Sequence, residues 1–241
     1  MLVEFCLPVF NEEKILKENG KIFYDFCRAG NFSFDWRVVL LNNGSDDDSE
    51  RLARELERQF PDKIFLENTA VRGKGGAIKK YFLKSRAEVL VYLDIDLAVS
   101  LDNLPELIGP VLAGECDLAF GSRLLPASRV SRPFLRTLSS VSYNFLSRLI
   151  LGLGYRDLQC GFKAMNRRVV AEVLPLIRDN DWFFDTELIA LADRRSLKIK
   201  EIPADWSENR YDKRKSKINL FKDGLVFMGK LIKLRLAYGG K

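Results

Sequence analysis

The stretch Glu88-Val89-Leu90-Val91-Tyr92-Leu93-Asp94-Ile95-Asp96 decides how this chain is read. An unbroken apolar run from Val89 to Leu93 is the pattern of a buried strand. It stops on Asp-x-Asp, which places two carboxylates where a parallel strand leaves its sheet. That is the edge at which open α/β sheets bind ligands. Paired carboxylates there suit a hard divalent cation that also holds a diphosphate. An isolated Asp-x-Asp is more often a turn or a helix cap, so the residues around it carry the argument.

Upstream, buried strands alternate with amphipathic helices. Leu2–Val9 reads as a strand and Glu12–Arg28 as a helix. Trp36–Leu41 is a second strand, followed by Asn42-Asn43-Gly44-Ser45 and a helix to Phe60. Lys63–Leu66 is a short strand, and Lys74–Arg86 a helix after Arg72-Gly73. Downstream, a helix at Leu104–Ala113 and a strand at Asp117–Gly121 continue the series. The alternation predicts an α/β fold with a mostly parallel sheet. Beyond Gly121 the pattern changes. Pro133–Gly152 reads as a long apolar helix, Gly161–Met165 as a strand and Arg168–Ile177 as a helix. Phe184–Arg195 and Ile218–Leu236 read as helices, and Lys198–Ile202 as a strand. We expect a catalytic domain over 1–217 and a basic amphipathic helix over 218–241.

Composition narrows the chemistry. The chain has 241 residues and no histidine, which excludes imidazole bases, imidazole metal ligands and Ser-His triads. Its four cysteines have no CxxC spacing and read as reduced, buried thiols of a cytosolic compartment. No secretory signal is visible, and no run reaches the ~18 apolar residues of a membrane span. The net charge of +6 is unevenly placed. Residues 1–120 carry 15 basic and 21 acidic groups, a net of −6, and the remainder carry 24 and 12, a net of +12. A basic back half points to a polyanionic ligand or an anionic membrane surface. It lacks aromatic platforms interleaved with cations and any nucleic-acid-binding motif, so nucleic acid is not an expected partner.

Four clusters fall at strand ends or helix starts: Pro8-Val9-Phe10-Asn11-Glu12-Glu13, Asn42-Asn43-Gly44-Ser45-Asp46-Asp47-Asp48, Arg72-Gly73-Lys74-Gly75-Gly76-Ala77, and Asp94-Ile95-Asp96. They can converge on one crevice. A helix start with Gly73, Gly75 and Gly76 can offer backbone N–H groups to phosphate, and Lys74 adds a cation. Amides such as Asn42 and Asn43 can read a nucleobase edge. Taken alone, such a cluster is more often a turn or a cap.

Taken in order with Gly121-Ser122-Arg123 and Asp157-Leu158-Gln159-Cys160-Gly161-Phe162-Lys163, these motifs resemble glycosyltransferase family 2 over roughly residues 3–220. The branch of dolichyl-phosphate glucosyltransferases and mannosyltransferases is the most similar. Asp157–Lys163, Phe184-Asp185-Thr186-Glu187, Trp206-Ser207 and Ser216-Lys217 are most like its glucosyl side. The resemblance implies a GT-A fold, a nucleoside-diphosphate sugar donor, inversion at the anomeric carbon and a Mg²⁺ or Mn²⁺ cofactor. Carried over by residue, Pro8, Phe10, Asn11 and Glu12 would edge the nucleoside pocket, and Asn43 would face the base. Lys74 would approach the donor. Asp94 would lie near ribose or metal, and Asp96 would bind the metal with the diphosphate. Arg123 would face acceptor or leaving phosphates, and Lys217 would help bind phosphate.

Two departures bear on the donor. Asn42-Asn43 stands where the family commonly has Asp-Asp. Ala98 stands where the mannosyl branch often places Gln, which removes one possible metal ligand and leans away from that branch, and the resemblance to the glucosyl side implies glucose on UDP. A polyprenyl or dolichyl phosphate acceptor brings an oxygen that is already anionic, so a strong base is unnecessary. A hydroxyl acceptor would need one, and Asp185 is the candidate; a helix N-cap is its plain alternative. GDP-mannose as donor, a hydroxyl acceptor and a non-catalytic nucleotide-sugar-binding module stay open. The apolar spacing of Pro133–Gly152, with Arg129, Arg132 and Arg136 beside it, and the lysines of Ile218–Leu236 fit core packing, an oligomer contact or the cytoplasmic face of an anionic membrane.

Overall fold

The first strand, β1 (Leu2–Val9), alternates its side chains between two cores. Val3, Phe5, Leu7 and Val9 enter one apolar cluster and Cys6 the other. This is the period-2 signature of a strand covered on both faces. In the computed structural model, which describes residues 1–70, 73–207 and 220–238, β1 is flanked by β2 (Asp35–Asn42) and β4 (Val89–Leu93), both parallel to it. Outside β2 lies β3 (Ile64–Asn68), also parallel. Helices α1 (Leu16–Ala29), α2 (Ser49–Gln59) and α3 (Lys74–Lys84) are the crossovers. Because β1 connects outward on one side and β4 lies on the other, their carboxyl ends form the topological crevice of an open sheet.

The sheet has seven strands in the order β3-β2-β1-β4-β7-β5-β8, with β5 (Leu118–Ser122), β7 (Phe162–Asn166) and β8 (Ile199–Pro203) completing it. The exception in a mostly parallel sheet is β7, which runs antiparallel to both β4 and β5. The chain leaves the carboxyl edge after Ser122 and passes through β6 (Val130–Ser131) and α5 (Phe134–Leu151). It re-enters at that same edge, where Phe162 faces Leu93. An excursion that starts and ends at one edge obliges the next strand to run backward. A buried antiparallel strand is as apolar as a parallel one, so composition does not distinguish them.

Other boundaries moved for local reasons. Helix α1 starts later than expected because Asn11 sits at φ +54° and the Glu12 carbonyl accepts from both Ile15 and Leu16 N–H in a preceding turn. The expected helix to Ile177 ends in α6 (Arg167–Glu172) and continues as a 3₁₀ turn over Leu174–Leu176, since Pro175 has no N–H to extend it. Helices α4 (Leu104–Leu112) and α7 (Phe184–Arg194) lie close to their expected spans. Helix α8 (Leu220–Tyr238) packs against α5 and buries Leu231 and Leu234 in the second core. A short ribbon joins β6 to β9 (Trp206–Ser207) in parallel. Among the described residues no helix is long and apolar enough to cross a membrane.

One buried contact ties the fold to the aspartate pair. Asn19 of α1 is buried, and its amide donates to the Ile95 carbonyl, between Asp94 and Asp96, at 2.9 Å. Asn19→Ala leaves that carbonyl without its donor, at a cost of about 1–3 kcal/mol. Thermal denaturation is expected to show a midpoint lowered by roughly 2–4 °C per kcal/mol in a domain of this size. An unchanged midpoint would show that the tether is dispensable.

Candidate active site

The four motifs do meet at the carboxyl edge. The loops after β1 and β2 are laced together by hydrogen bonds. Asn43 N–H donates to the Val9 carbonyl at 2.9 Å, Asn11 N–H to Ser45 Oγ at 3.1 Å, and Asp46 N–H to Asn11 Oδ1 at 3.0 Å. Glu12 is buried, and its N–H donates to Ser49 Oγ at 2.8 Å. Pro8 is half-buried at the end of β1, and Phe10 is exposed beside it. The two asparagines divide their tasks. Asn42 Nδ2 donates to Asn68 Oδ1 at 2.8 Å and its Oδ1 accepts from Ser45 N–H at 3.2 Å, so it holds the turn. Asn43 Oδ1 is a buried acceptor with no donor among the described residues. A buried acceptor left unmade is costly, and a ligand N–H would satisfy it.

The glycines before α3 serve packing. Gly76 N–H donates to the Asn180 carbonyl at 2.8 Å, so it is not available to a phosphate. A Cβ on Gly73 would lie 2.1 Å from the Asn180 oxygen, and one on Gly75 would lie 2.3 Å from Phe184 Cβ. The phosphate cradle expected from these glycines is therefore a seat for the segment 180–184. Gly73, at φ +91°, also takes a backbone conformation that favours glycine.

Lys74 is the cation this seat positions. Its ammonium pairs with Asp94 Oδ1 and lies 5.6 Å from the centroid of the half-buried Trp182 ring and 5.7 Å from that of Tyr92. Burial pulls its pKa down, but Asp94, Asp185 and Asp96 outweigh it and hold the ammonium above its ordinary value. Asp96 is half-buried, and its Oδ1 accepts from Ala98 N–H at 3.2 Å. Gly161, at the start of β7, presses on the pair. A Cβ there would stand 2.6 Å from Asp94 Oδ2 and 2.8 Å from Lys74 Nζ.

Arg123 is brought to the same edge but is held by Asp157. Its Nε and Nη2 donate to the two oxygens of that carboxylate at 2.7 and 2.9 Å, and its backbone N–H adds a third bond at 3.0 Å. Its guanidinium lies 5.0 Å from the Trp206 ring centroid. Asp185 lies in the first turn of α7 and is not the N-cap, which is Phe183. It is buried, and its Oδ1 accepts from the wholly buried Lys163 at 2.6 Å and from the Tyr92 hydroxyl. Lys217 and Arg72 lie outside the described residues.

Sequence reasoning gave no role to Lys163, Tyr92, Gly161, Asp157 or Trp182. One signal was available: Lys163 interrupts the apolar run of β7 at a position facing a core. Among the described residues no group of three or more metal-ligating side chains occurs.

The family model for glycosyl transferase family 2 matches residues 4–174, and the chain belongs to that family. It is 34% identical over 231 residues to glycosyltransferase AglD of Haloferax volcanii, covering 95% of this chain and 36% of that protein. It is 28% identical to a dolichyl-phosphate β-glucosyltransferase of Trichomonas vaginalis, covering 85% and 63%. The Saccharomyces cerevisiae dolichyl-phosphate β-glucosyltransferase is 27% identical, with 99% and 75% covered. The chain thus spans about a third of the first of these relatives and just under two thirds of the second. Among solved structures, glucosyl-3-phosphoglycerate synthase of Mycobacterium tuberculosis, in complex with Mn²⁺, UDP and glucosyl-3-phosphoglycerate, superposes with a TM-score of 0.65 at 20% identity. The match covers all of this chain and 81% of that one. The fold is GT-A: a mostly parallel α/β sheet flanked by helices.

Burial raises and Arg123 lowers the Asp157 carboxyl, with a net fall from 3.8 to about 2. The stability this pair contributes is complete above the unfolded value and is lost as pH falls through the folded one. In acid unfolding curves, wild type is expected to lose stability between pH 3.8 and about 2. Asp157→Asn should be less stable at neutral pH, because Arg123 loses its partner, and flatter across that window. Parallel curves would remove Asp157 from the acid limb.

Proposed function

We propose that this protein is an inverting hexosyltransferase that moves glucose from UDP-glucose to a polyprenyl or dolichyl phosphate. The observation that carries the reading is the convergence of Lys74, Asp94, Asp96 and the orphaned Asn43 acceptor on one sheet edge. These groups match a nucleoside-diphosphate sugar: amide for base, cation for diphosphate, carboxylates for a metal. The similarity to dolichyl-phosphate β-glucosyltransferases supports glucose and the lipid phosphate.

Pro8, Phe10, Asn11 and Glu12 would form the wall of the nucleoside pocket, with Asn43 Oδ1 accepting from a base N–H. The residues fit a divalent cation. Asp96, with Asp94 behind it, offers hard oxygen ligands, and the remaining ligands would come from diphosphate and water, as is usual for Mg²⁺. A bound Mg²⁺ or Mn²⁺ would supply charge neutralisation for the departing diphosphate. Lys74 would stabilise that same charge. In the reaction a lipid phosphate oxygen forms a bond to the anomeric carbon as the bond from that carbon to UDP breaks. The acceptor is anionic before it attacks, so no base is required. Asp185, already holding Lys163 and Tyr92, is poorly placed to serve a hydroxyl acceptor. An open pocket of about 500 Å³ lined by Leu97, Ala98, Arg129, Ser131, Asp205 and Trp206 starts at the two residues that follow Asp96 in the chain and would offer the acceptor an approach. Lys217 would add a phosphate contact.

Helix α5 supports placement at the cytoplasmic face of an anionic membrane. Its amphipathicity is turned outward: Phe134, Leu138, Val141, Phe145 and Leu149 are exposed while Asn144 and Ser147 are buried. An apolar stripe facing out beside Arg129, Arg132 and Arg136 fits the interfacial region of a bilayer.

Product formation from a panel of UDP- and GDP-sugars with a polyprenyl phosphate is the direct test. A chelator-sensitive lipid-linked glucose is expected, reduced about 100-fold or more in Asp96→Ala. Donor hydrolysis without a lipid product would overturn the acceptor, and product from GDP-mannose alone would overturn the donor. In a separate measurement, co-sedimentation with phosphatidylserine-containing vesicles should fall at least about tenfold in the double variant Leu138→Ser with Phe145→Ser, given the apolar area removed. Equal sedimentation would move the contact elsewhere.

A further inference from the structure

We infer that Lys163 and Asp185 are positioning residues of the donor site, their buried ion pair keeping Asp185 from competing with Asp94 for the Lys74 ammonium. This rests on the donor reading above and goes beyond it, since it assigns a purpose to charges that touch no substrate.

Lys163 is wholly buried in β7, directly opposite Tyr92 of β4. Its ammonium donates to Asp185 Oδ1 at 2.6 Å and to the Cys160 carbonyl at 2.5 Å. Taking both charges out of water is costly, and an apolar pair of similar volume is often as stable or more so. Stability alone therefore gives no reason for a lysine at this position. Its surroundings supply one. The Tyr92 ring has two ammonium groups about it, Lys74 and Lys163, each 5.7 Å from its centroid. Two carboxylates, Asp94 and Asp185, answer them. Asp185 is bonded to the hydroxyl of Tyr92, whose ring Lys74 approaches to 5.7 Å, and its charge also favours the ammonium form of Lys74. Lys74 therefore has two candidate partners, and Lys163 occupies one of them. The Tyr92 hydroxyl donates to the same Asp185 oxygen, so that oxygen is doubly engaged.

The second bond of Lys163 acts on the other side of the site. By holding the Cys160 carbonyl it fixes the turn that leads into Gly161, whose backbone lies against Asp94 Oδ2 and Lys74 Nζ. One buried ammonium thus removes the competitor and sets the wall. Lysine is suited to this, because a compact ammonium can serve two acceptors at the end of a flexible stem.

A double-variant cycle tests the inference, with Lys163→Met, Asp185→Asn and the two combined. It is read by UDP-glucose affinity, by kcat and KM for transfer, and by the ¹⁵Nζ resonance of Lys74. In Lys163→Met the Lys74 resonance is expected to shift and the KM for UDP-glucose to rise about tenfold or more, with a smaller change in kcat. The combined variant has no competing charge and should recover most of both. If Lys163→Met does not fold, the combined variant alone decides, and it must keep near-native donor affinity. A combined variant as impaired in binding as Lys163→Met, or an unmoved Lys74 resonance in both, overturns the inference. Intact binding with turnover lost wherever Asp185 is changed would also overturn it, by assigning Asp185 to chemistry. A wild-type protein that binds no UDP-glucose while Lys74 still shifts in Lys163→Met would refute the donor and leave the positioning role standing.

Discussion

At the carboxyl edge of the sheet, Gly161 allows an ion pair to lie where a side chain would otherwise be. Its missing Cβ leaves room for Asp94 and Lys74 to meet over the end of β4, within 3 Å of where that carbon would sit. The other features of the site follow from this contact. Lys74 reaches Asp94 because α3 begins close to β4, and α3 begins there because Gly73 and Gly75 admit the segment 180–184 against them. That segment carries Trp182 over Lys74 and leads into α7, which delivers Asp185. Gly161 itself arrives from β7, the one strand described here that runs against its neighbours. Reversal of a single strand brings a third chain segment to an edge that β1, β2 and β4 already share.

Legibility in the sequence followed the physical scale of each signal. Apolar runs bounded by turn residues are local, so β1, β2 and β4 stood out, as did the loops that end them. The convergence of Asp94, Asp96, Lys74 and Asn43 was legible because parallel βαβ units return every strand end to one edge. The direction of β7 was not, because it depends on where a 39-residue excursion over 123–161 re-enters the sheet. Partnerships among charged groups were equally hidden. Arg123 reads as a cation for phosphate, yet Asp157, 34 positions later, takes two of its donors. The glycines of 73–76 read as a phosphate cradle, yet the partner that requires them lies more than a hundred positions away. Periodicity shows that a helix has two faces without showing which is inside, and α5 buries the polar one.

The inversion of α5 is coherent with the site it borders. Asn144, on its buried face, donates to Asp157 Oδ1 at 3.3 Å and accepts from Leu158 N–H at 2.8 Å. Tyr143 reaches Thr186 Oγ1 at 2.8 Å, and Gln159 donates to that same oxygen at 2.6 Å. Asn144 of the buried face of α5 thus helps to hold Asp157, and through it Arg123, while the apolar stripe is left to the outside. One helix joins an outward apolar surface to the frame of the site.

The site therefore contains cations of two kinds. Arg123 is fixed: three hydrogen bonds tie it to a carboxylate with no exposure to solvent, and withdrawal would leave Asp157 charged and uncompensated in the interior. Lys74 is held at its tip by Asp94, whose carboxylate is about one third exposed. Water can take over when that pair opens, so the penalty for exchange is far smaller. An ammonium is also a point charge without the fork geometry that commits an arginine to one partner. An incoming diphosphate would thus find in Lys74 a cation able to change partners and in Arg123 one that keeps the wall in place. Lys163 belongs with the fixed group through its bond to Asp185, and that commitment would leave Lys74 to exchange between Asp94 and an incoming diphosphate alone.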